Sequence, residues 1–352
     1  MAPHTTYAPR DLKAFAVALF EKVGLKGEKA GTVAHILVEG ELRGRTTHGL
    51  ALLAPYLKEI ESGDMTTTGD VEVLTDFGAC LAWDGRRLPG PWLISRALDE
   101  AMSRASRFGI GAVVIRRSHH TASLGAYLTA ATDKGYLAFI TLTDPAFSSV
   151  APFGGTTPVL TSNPFAFGAP AEPMPILVDV STSMLTNGMI ARMKRDGRML
   201  DADWLLTADG KPSRDPDVMF ENPPGTVLPL GGLEAGHKGY GLGMMIEVLS
   251  ACLSGHGRAE PHEGWGASVF VMAIKPEAFG STQAYRKQVN WLVDACHRAS
   301  PREGFDRVRL PGEAGHERRA AALREGLALS SDIRDALAPW MRKLAVGLPA
   351  AL

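Results

Sequence analysis

The spacing of apolar residues gives the chain two textures. Over residues 1–70 it is helical. Leu12, Phe15, Ala16, Leu19 and Val23 recur at helical spacing, with Pro9 and Asp11 suited to a first turn and Gly24 to an end. Val33, Ile36, Leu37 and Leu42 predict a second helix, which runs into Arg43-Gly44-Arg45-Thr46-Thr47-His48-Gly49; residues 50–60 predict a third. From about residue 71 short apolar runs alternate with helical stretches. Residues 71–74 and 80–85 predict a hairpin, 91–108 a helix, 111–115 a strand and 122–134 a helix. Residues 137–141, 176–180 and 269–274 predict further strands, and 240–253 a strong helix. The Gly-, Pro- and Asp-rich stretch 199–232 reads as surface loop or insertion. The tail from about 315 is helical and charged. This alternation predicts an α/β protein with a substantially buried sheet. Residues 1–70 and 314–352 are expected to form one discontinuous helical subdomain around a core of 71–313.

Composition narrows the class. The 352 residues carry 37 basic and 38 acidic side chains, a formal net charge of -1. That gives no electrostatic case for a nucleic-acid or membrane-surface partner. Cys80, Cys252 and Cys296 are the three cysteines, and no C-x-x-C occurs. A thiolate metal site is not expected, and the sparse, odd count fits a reducing, cytoplasmic compartment. No apolar run approaches membrane-helix length, and the opening MAPHTTYAPRD lacks the layout of a signal peptide.

Candidate chemistry begins with absences. No G-x-G-x-x-G opens a helix after a strand, so the ordinary dinucleotide fingerprint is missing. P-loop, H-E-x-x-H and G-x-S-x-G patterns are missing too. Histidine remains. His48, beside Thr46 and Thr47 at a helix end, could exchange a proton near neutral pH, or simply cap the helix. His119-His120 follow a strand in Ser118-His119-His120-Thr121-Ala122-Ser123, where ligands bind in α/β sheets; plain capping by Ser118 or Thr121 is the alternative. Neighbours on an extended chain point opposite ways, so two adjacent histidines say little about metal. Gly231–Gly241 reads as a glycine-rich loop before a helix, with Lys238 able to meet a phosphate. Thr161-Ser162-Asn163-Pro164 and Asp179-Val180-Ser181-Thr182-Ser183 are polar clusters beside strand ends. His35 and His297 sit in apolar helical stretches and read as core histidines.

Taken in order, the stretches LRGRTTHGL, SHHTASLGAY, APFGGTTPVLTSNPFAFGAP, ILVDVSTS, HKGYGLGMMIEVLSACLSG and RLPGE resemble the malate/L-lactate dehydrogenase family of the non-Rossmann type. Its members reduce 2-oxo acids or cyclic imino acids with NADH or NADPH. The resemblance implies a non-Rossmann NAD(P)-binding fold with a mixed sheet, and a homodimer with the cofactor near the interface. It implies that His48 transfers a proton, with Thr47 beside it, and that His120 lies next to nicotinamide and substrate. It places Tyr56 and Asn163 at the substrate. It assigns cofactor contacts to His120, Thr121, Ala122, Ser123 and Leu124, to Asp179, Val180 and Ser181, to Lys238 and Gly239, and to Pro311, Gly312 and Glu313. Four departures bear on substrate, one of them Thr121-Ala122 after His120, where relatives usually carry Phe-Gly. Relatives carry a carboxylate-binding arginine four residues after the catalytic histidine; here it is Leu52. An asparagine after the 137–141 strand is Asp144, an anion that would repel a carboxylate. The Gly-Lys that relatives carry after the Asp179 segment is Gly188-Met189. The expected reaction is reduction of a 2-oxo acid to a 2-hydroxy acid. Reduction of an imine, or dinucleotide binding with little catalysis, are the alternatives.

Overall fold

The computed structural model describes residues 5–261 and 264–352. The opening of the chain, Met1–His4, where a leader was sought, lies outside them. Helices α1 (Pro9–Lys22), α2 (Gly27–Leu42) and α3 (Leu53–Glu61) fall where the periodicity puts them. Pro9 starts α1, where a missing N–H costs nothing. The buried stripe of α1 is Leu12, Phe15, Ala16, Leu19 and Phe20. Helix α2 is buried continuously over residues 36–42, Glu39 and Glu41 included.

The sheet has seven strands: β1 (Glu72–Phe77), β2 (Cys80–Asp84), β3 (Ile110–Ser118), β4 (Leu137–Thr143), β5 (Phe165–Ala169), β6 (Ile176–Val180) and β7 (Ala267–Ile274). Their order is β1-β2-β3-β7-β4-β5-β6. Only β2 and β3 are parallel, so the sheet is mixed, as expected. Helix α4 (Gly90–Phe108) crosses between them and stops at Gly109, whose φ of 84° suits a residue without Cβ. Central β7 buries Val269, Val271 and Ala273 completely. Strand β5, which the apolar runs do not reveal, alternates aromatic and small residues. Its Gly168 takes the backbone within reach of Leu128 and Thr132.

Three expected elements come out differently. The helix expected over 122–134 is only α5 (Leu128–Thr132) after a short 3-10 turn, Leu124–Ala126. Residues 119–123 stay extended, because Ala122 takes φ 59° and the hydroxyl of Tyr127 bonds the carbonyl of Thr121. The stretch 199–232 is not plain loop. It carries a three-stranded sheet, and with α6 (Asn187–Arg195) it buries a second core of Val150, Leu160, Ile190, Leu200, Leu205, Val218 and Val227. The glycine-rich loop is helix: α7 spans Gly232–Glu247 and continues as a π turn to Cys252. Its glycines serve packing, since a Cβ on Gly239 would lie 2.3 Å from the backbone nitrogen of Leu230.

Helices α8 (Thr282–Arg298), α9 (Glu313–Glu325) and α10 (Ser331–Leu344) complete the chain. Thr6–Tyr7 pairs with Leu327–Ala328, and Ile333 and Leu337 of α10 join the apolar cluster that runs from Tyr7 through the sheet. His35 and His297 are both exposed rather than core residues; His297 meets Glu313 at 3.2 Å. Among the described residues no helix is long and apolar enough to cross a membrane.

Candidate active site

The end of α2 turns sharply, with Arg45 N–H donating to Gly40 O at 2.8 Å and His48 N–H to Arg45 O at 2.9 Å. A 3-10 turn, Thr46–His48, then presents two side chains together. Thr47 Oγ1 lies 2.8 Å from His48 Nδ1. That contact occupies Nδ1 and leaves Nε2 as the nitrogen for exchange. Burial lowers the affinity of His48 for a proton; Asp179 opposes this and Arg45 adds to it.

At the end of β3 the two histidines diverge, as extended backbone requires. His119 is fully buried, with Nε2 3.1 Å from Glu59 Oε2. Burial drives its pKa to about 3, so it is a neutral structural residue. His120 turns the other way. Its ring stacks on Trp265 with centroids 4.1 Å apart and lies 5.9 Å from the ring of His48. Its Nδ1 is 2.7 Å from the hydroxyl of Tyr56. Burial, then the neighbouring histidines, hold His120 neutral.

Two cavities meet at His48. One, about 260 Å³, is walled by His48, Leu52, His120, Asp144, Phe147 and Trp265, with Thr121 and Leu142 behind. The other, about 380 Å³, is walled by Arg45, Ser123, Leu124, Asp179, Val180 and Ser181. Thr47, His48, Ala122, Pro164 and Thr186 border both. Asp179 organises the second: its Oδ2 accepts from Gly125 N–H at 3.0 Å and Ser123 Oγ at 3.2 Å. A Cβ on Gly125 would lie 2.8 Å from that oxygen.

Among the described residues no lysine or arginine lines the first cavity. Leu52 fills the wall with an 8% exposed isobutyl group. Asp144 is half-buried, and its desolvation pushes its carboxyl up to about 7, against the N–H groups of Ala146 and Gly266 and the charges of Arg258 and Arg87. Neither arginine borders this cavity, although Arg87 keeps a buried Nη2 without a hydrogen-bond partner among the described residues. Arg258 is spent on Glu247 (2.8 Å), Thr143 and the carbonyl of Phe147, and Arg87 Nε donates to Asp64 O at 2.7 Å.

Several assigned residues stand elsewhere. Tyr56 is completely buried and reaches His120 from behind rather than the cavity. Asn163 is also fully buried: its amide joins Thr143, Gly243 and Glu247, so its flanks Ser162 and Pro164 form the wall instead. Lys238 projects from α7, and neither it nor Gly239 borders either cavity. Pro311, Gly312 and Glu313 pack on the outer edge of β6, where Pro311 O accepts from Leu177 N–H at 3.0 Å. Glu313 is occupied by Leu310 N–H, His297 and Arg307. Sequence reasoning missed Trp265, Phe147 and Arg45. Only the glycines flanking Trp265 hinted at an aromatic placed by a loop.

A mixed-sheet fold with a histidine between two joined cavities is that of a small-molecule enzyme, without the Rossmann helix that cradles a pyrophosphate. The family model described as malate/L-lactate dehydrogenase matches residues 7–338. The chain belongs to that family, and so to the dehydrogenases and reductases. A malate dehydrogenase of Pyrococcus abyssi is 29% identical over 347 residues, covering 96% of this chain and 95% of that protein. A crystal structure of malate dehydrogenase from Entamoeba histolytica superposes with TM-score 0.93 at 27% identity, covering 99% and 100% of the two chains. A delta1-piperideine-2-carboxylate reductase from Pseudomonas syringae superposes with TM-score 0.83 at 25% identity, covering 95% and 99%.

Proposed function

We propose that the protein is an NAD(P)-dependent oxidoreductase that reduces a 2-oxo acid to the 2-hydroxy acid, with His48 exchanging the proton. The observation that carries this is the position of His48 at the junction of two cavities, one suited to a cofactor ring and one to a small substrate. The second cavity offers hydroxyls from Ser123 and Ser181, the guanidinium of Arg45 and apolar faces from Leu124 and Val180. Those groups fit the amide, ribose and ring of nicotinamide. When bound, the cofactor supplies or accepts the hydride. Thr121 and Ala122 position main chain beside it. Pro311-Gly312-Glu313 continue the edge of the strand that carries Asp179, which supports a role farther along the cofactor.

The protein's own part is proton management. Thr47 Oγ1, accepting from Nδ1–H, keeps that proton in place in both the neutral and the charged ring, so Nε2 is the nitrogen that gains and loses the exchanged proton. Burial makes the imidazolium a stronger acid, which favours proton delivery to an oxygen gaining negative charge. Neutral His120, fixed by Tyr56 and Trp265, forms the neighbouring wall without competing for that proton.

A second reading, imine reduction, is favoured by the cation-free wall. A carboxylate there meets Leu52 and Asp144 and no guanidinium. A protonated imine would meet an acid and the face of Trp265. A homodimer belongs to the proposal as well, supported by Met244, Met245, Val248 and Leu253, all exposed along α7 and its extension. So does a cytoplasmic setting, with the three cysteines unpaired. The test is fluorescence titration with NADH and NADPH, then loss of reduced-cofactor absorbance with 2-oxo acids, with and without methylamine. Oxidation by oxo acids alone supports the first reading and amine-dependent oxidation the second. Failure to bind either cofactor refutes both.

A further inference from the structure

Proton exchange demands that His48 be held closely, and among the described residues only Thr47 is hydrogen-bonded to its ring. Two residues farther on, the main chain is held by a buried acid that lines neither cavity. Glu41 sits in the last turn of α2 and is 7% exposed. Its Oε2 accepts the N–H of Leu50 at 2.9 Å, two residues beyond His48. The intervening backbone is pressed onto the helix. A Cβ on Gly49 would stand 2.4 Å from that same oxygen, and one on Gly40 would stand 2.9 Å from the carbonyl oxygen of His48. Two glycines therefore let residues 48–50 lie flat on residues 40–41, and one carboxylate pins them there.

The acid has no counter-ion of its own among the described residues. Arg192 of α6 and Asp332 of α10 face it, the first favouring its charge and the second opposing it. Both are engaged elsewhere, Arg192 with Thr46 Oγ1 at 3.1 Å and Asp332 with Arg195 at 3.2 Å. A carboxylate buried for packing alone would be replaced at a gain by an apolar side chain. Its retention fits a directional bond to one main-chain N–H.

We propose that Glu41 is a positioning residue for His48, fixing through Leu50 the backbone that sets the imidazole between the two cavities. The proposal rests on the reading of His48 as the proton-exchanging group. Burial pushes the carboxyl of Glu41 up to about 7, so its charge changes in the working range. A charged acceptor holds the N–H more strongly than a neutral one, so the hold on Leu50 slackens as pH falls through that value.

The test is the histidine imidazole NMR spectrum of the full chain, with the His48 signals assigned from His48→Ala. Glu41→Gln keeps an acceptor but cannot ionise. Its His48 signals are expected near their wild-type positions at high pH, without the inflection near neutrality. Glu41→Asp, one methylene short, is expected to restore the inflection in part. Glu41→Ala is expected to shift and broaden the His48 signals, to leave exposed His297 unmoved, and to weaken NADH binding about fivefold, the equivalent of one lost hydrogen bond. His48 signals that superpose on wild type in Glu41→Ala would overturn the proposal. Should Glu41→Ala fail to fold, an unchanged inflection in Glu41→Gln would overturn it equally. Turnover that survives His48→Ala would sink the functional reading, while the spectra still report whether Glu41 holds the turn.

Discussion

The hydroxyl of Tyr56 lies 2.7 Å from Nδ1 of His120 and 3.2 Å from the carbonyl oxygen of the same residue. One phenol thus holds both the ring and the backbone of a histidine that walls the cavity containing Leu52 and Asp144. It is supplied by α3, whereas the histidine comes from the end of β3. Tyr56→Phe keeps the buried ring and loses the hydroxyl. Stability should fall by about 1–2 kcal/mol, because a buried acceptor is left unpaired. Turnover should fall with little change in NADH affinity. Thermal melting with steady-state kinetics checks both parts.

His48→Ala should lower turnover by about 10²–10⁴-fold, the usual worth of a positioned acid or base, while NADH still binds. Thr47→Val, which removes only the partner of Nδ1, should fall between that variant and wild type. Single-turnover measurements separate the chemical step from binding.

The pH dependence has a definite sign. The proton affinity of His48 is depressed below the ordinary 6.5, first by burial. Reduction needs the imidazolium, so its rate should fall as pH rises through a value below 6.5. Oxidation needs the neutral ring and should show the reverse. Asp179→Asn removes the charge that opposes the depression and should move the inflection lower still. An inflection above 6.5 in the reduction profile would assign it to another group, with Asp144, at about 7, the first candidate.

Leu52→Arg should place a guanidinium in the wall of the substrate cavity. Charge-assisted bonds of about 1.5–3 kcal/mol predict at least a tenfold lower KM for a 2-oxo acid. Asp144 would compete for that guanidinium, so Leu52→Arg combined with Asp144→Asn should show the larger effect. A double variant with unchanged KM would place the substrate carboxylate elsewhere.

Asp84 is 1% exposed and binds Arg116 Nε at 3.0 Å, Arg117 Nε at 2.9 Å and the N–H of Arg86 at 2.8 Å. Asp84→Ala should destabilise the fold by about 2–3 kcal/mol, less than for a fully buried pair because the guanidiniums are partly solvated. Burial alone would raise the carboxyl, but the arginine bonds outweigh it and depress it below 3.8. Its contribution is therefore present above 3.8 and lost as pH falls through the depressed value. Denaturant titrations across acid pH would reveal this, and the variant should lack that part of the loss.

Much of this was legible along the chain. Helices α1 to α4 and strands β2, β3, β4, β6 and β7 follow from apolar periodicity, because each buries a face or a whole run in the core that contains Leu12, Val113 and Val271. Thr47-His48 and His120 stood out as histidines beside hydroxyls, but local pattern left helix capping open, and only the resemblance to the family gave them roles. Strand β5 was hidden by its small residues, and α8 showed only as the helical stretch around His297, since it buries only Val293. The 199–232 stretch concealed a core, since its buried residues are scattered singly among turns and meet only when the chain folds back.

Local pattern, then, determined the α/β class, because the faces of helices and strands rest on residues near in sequence, and the likeness of six segments determined the family. Tertiary structure alone decided which polar residues face the ligand. Tyr56 and Asn163 lost that place because long-range hydrogen bonds to His120, Thr143 and Glu247 consume their polar atoms. Trp265 gained it because β7 begins opposite Ser118, two residues before the His120 ring on which Trp265 stacks. A side chain's partners are set by what lies across the core, and the order of residues along the chain does not carry that information.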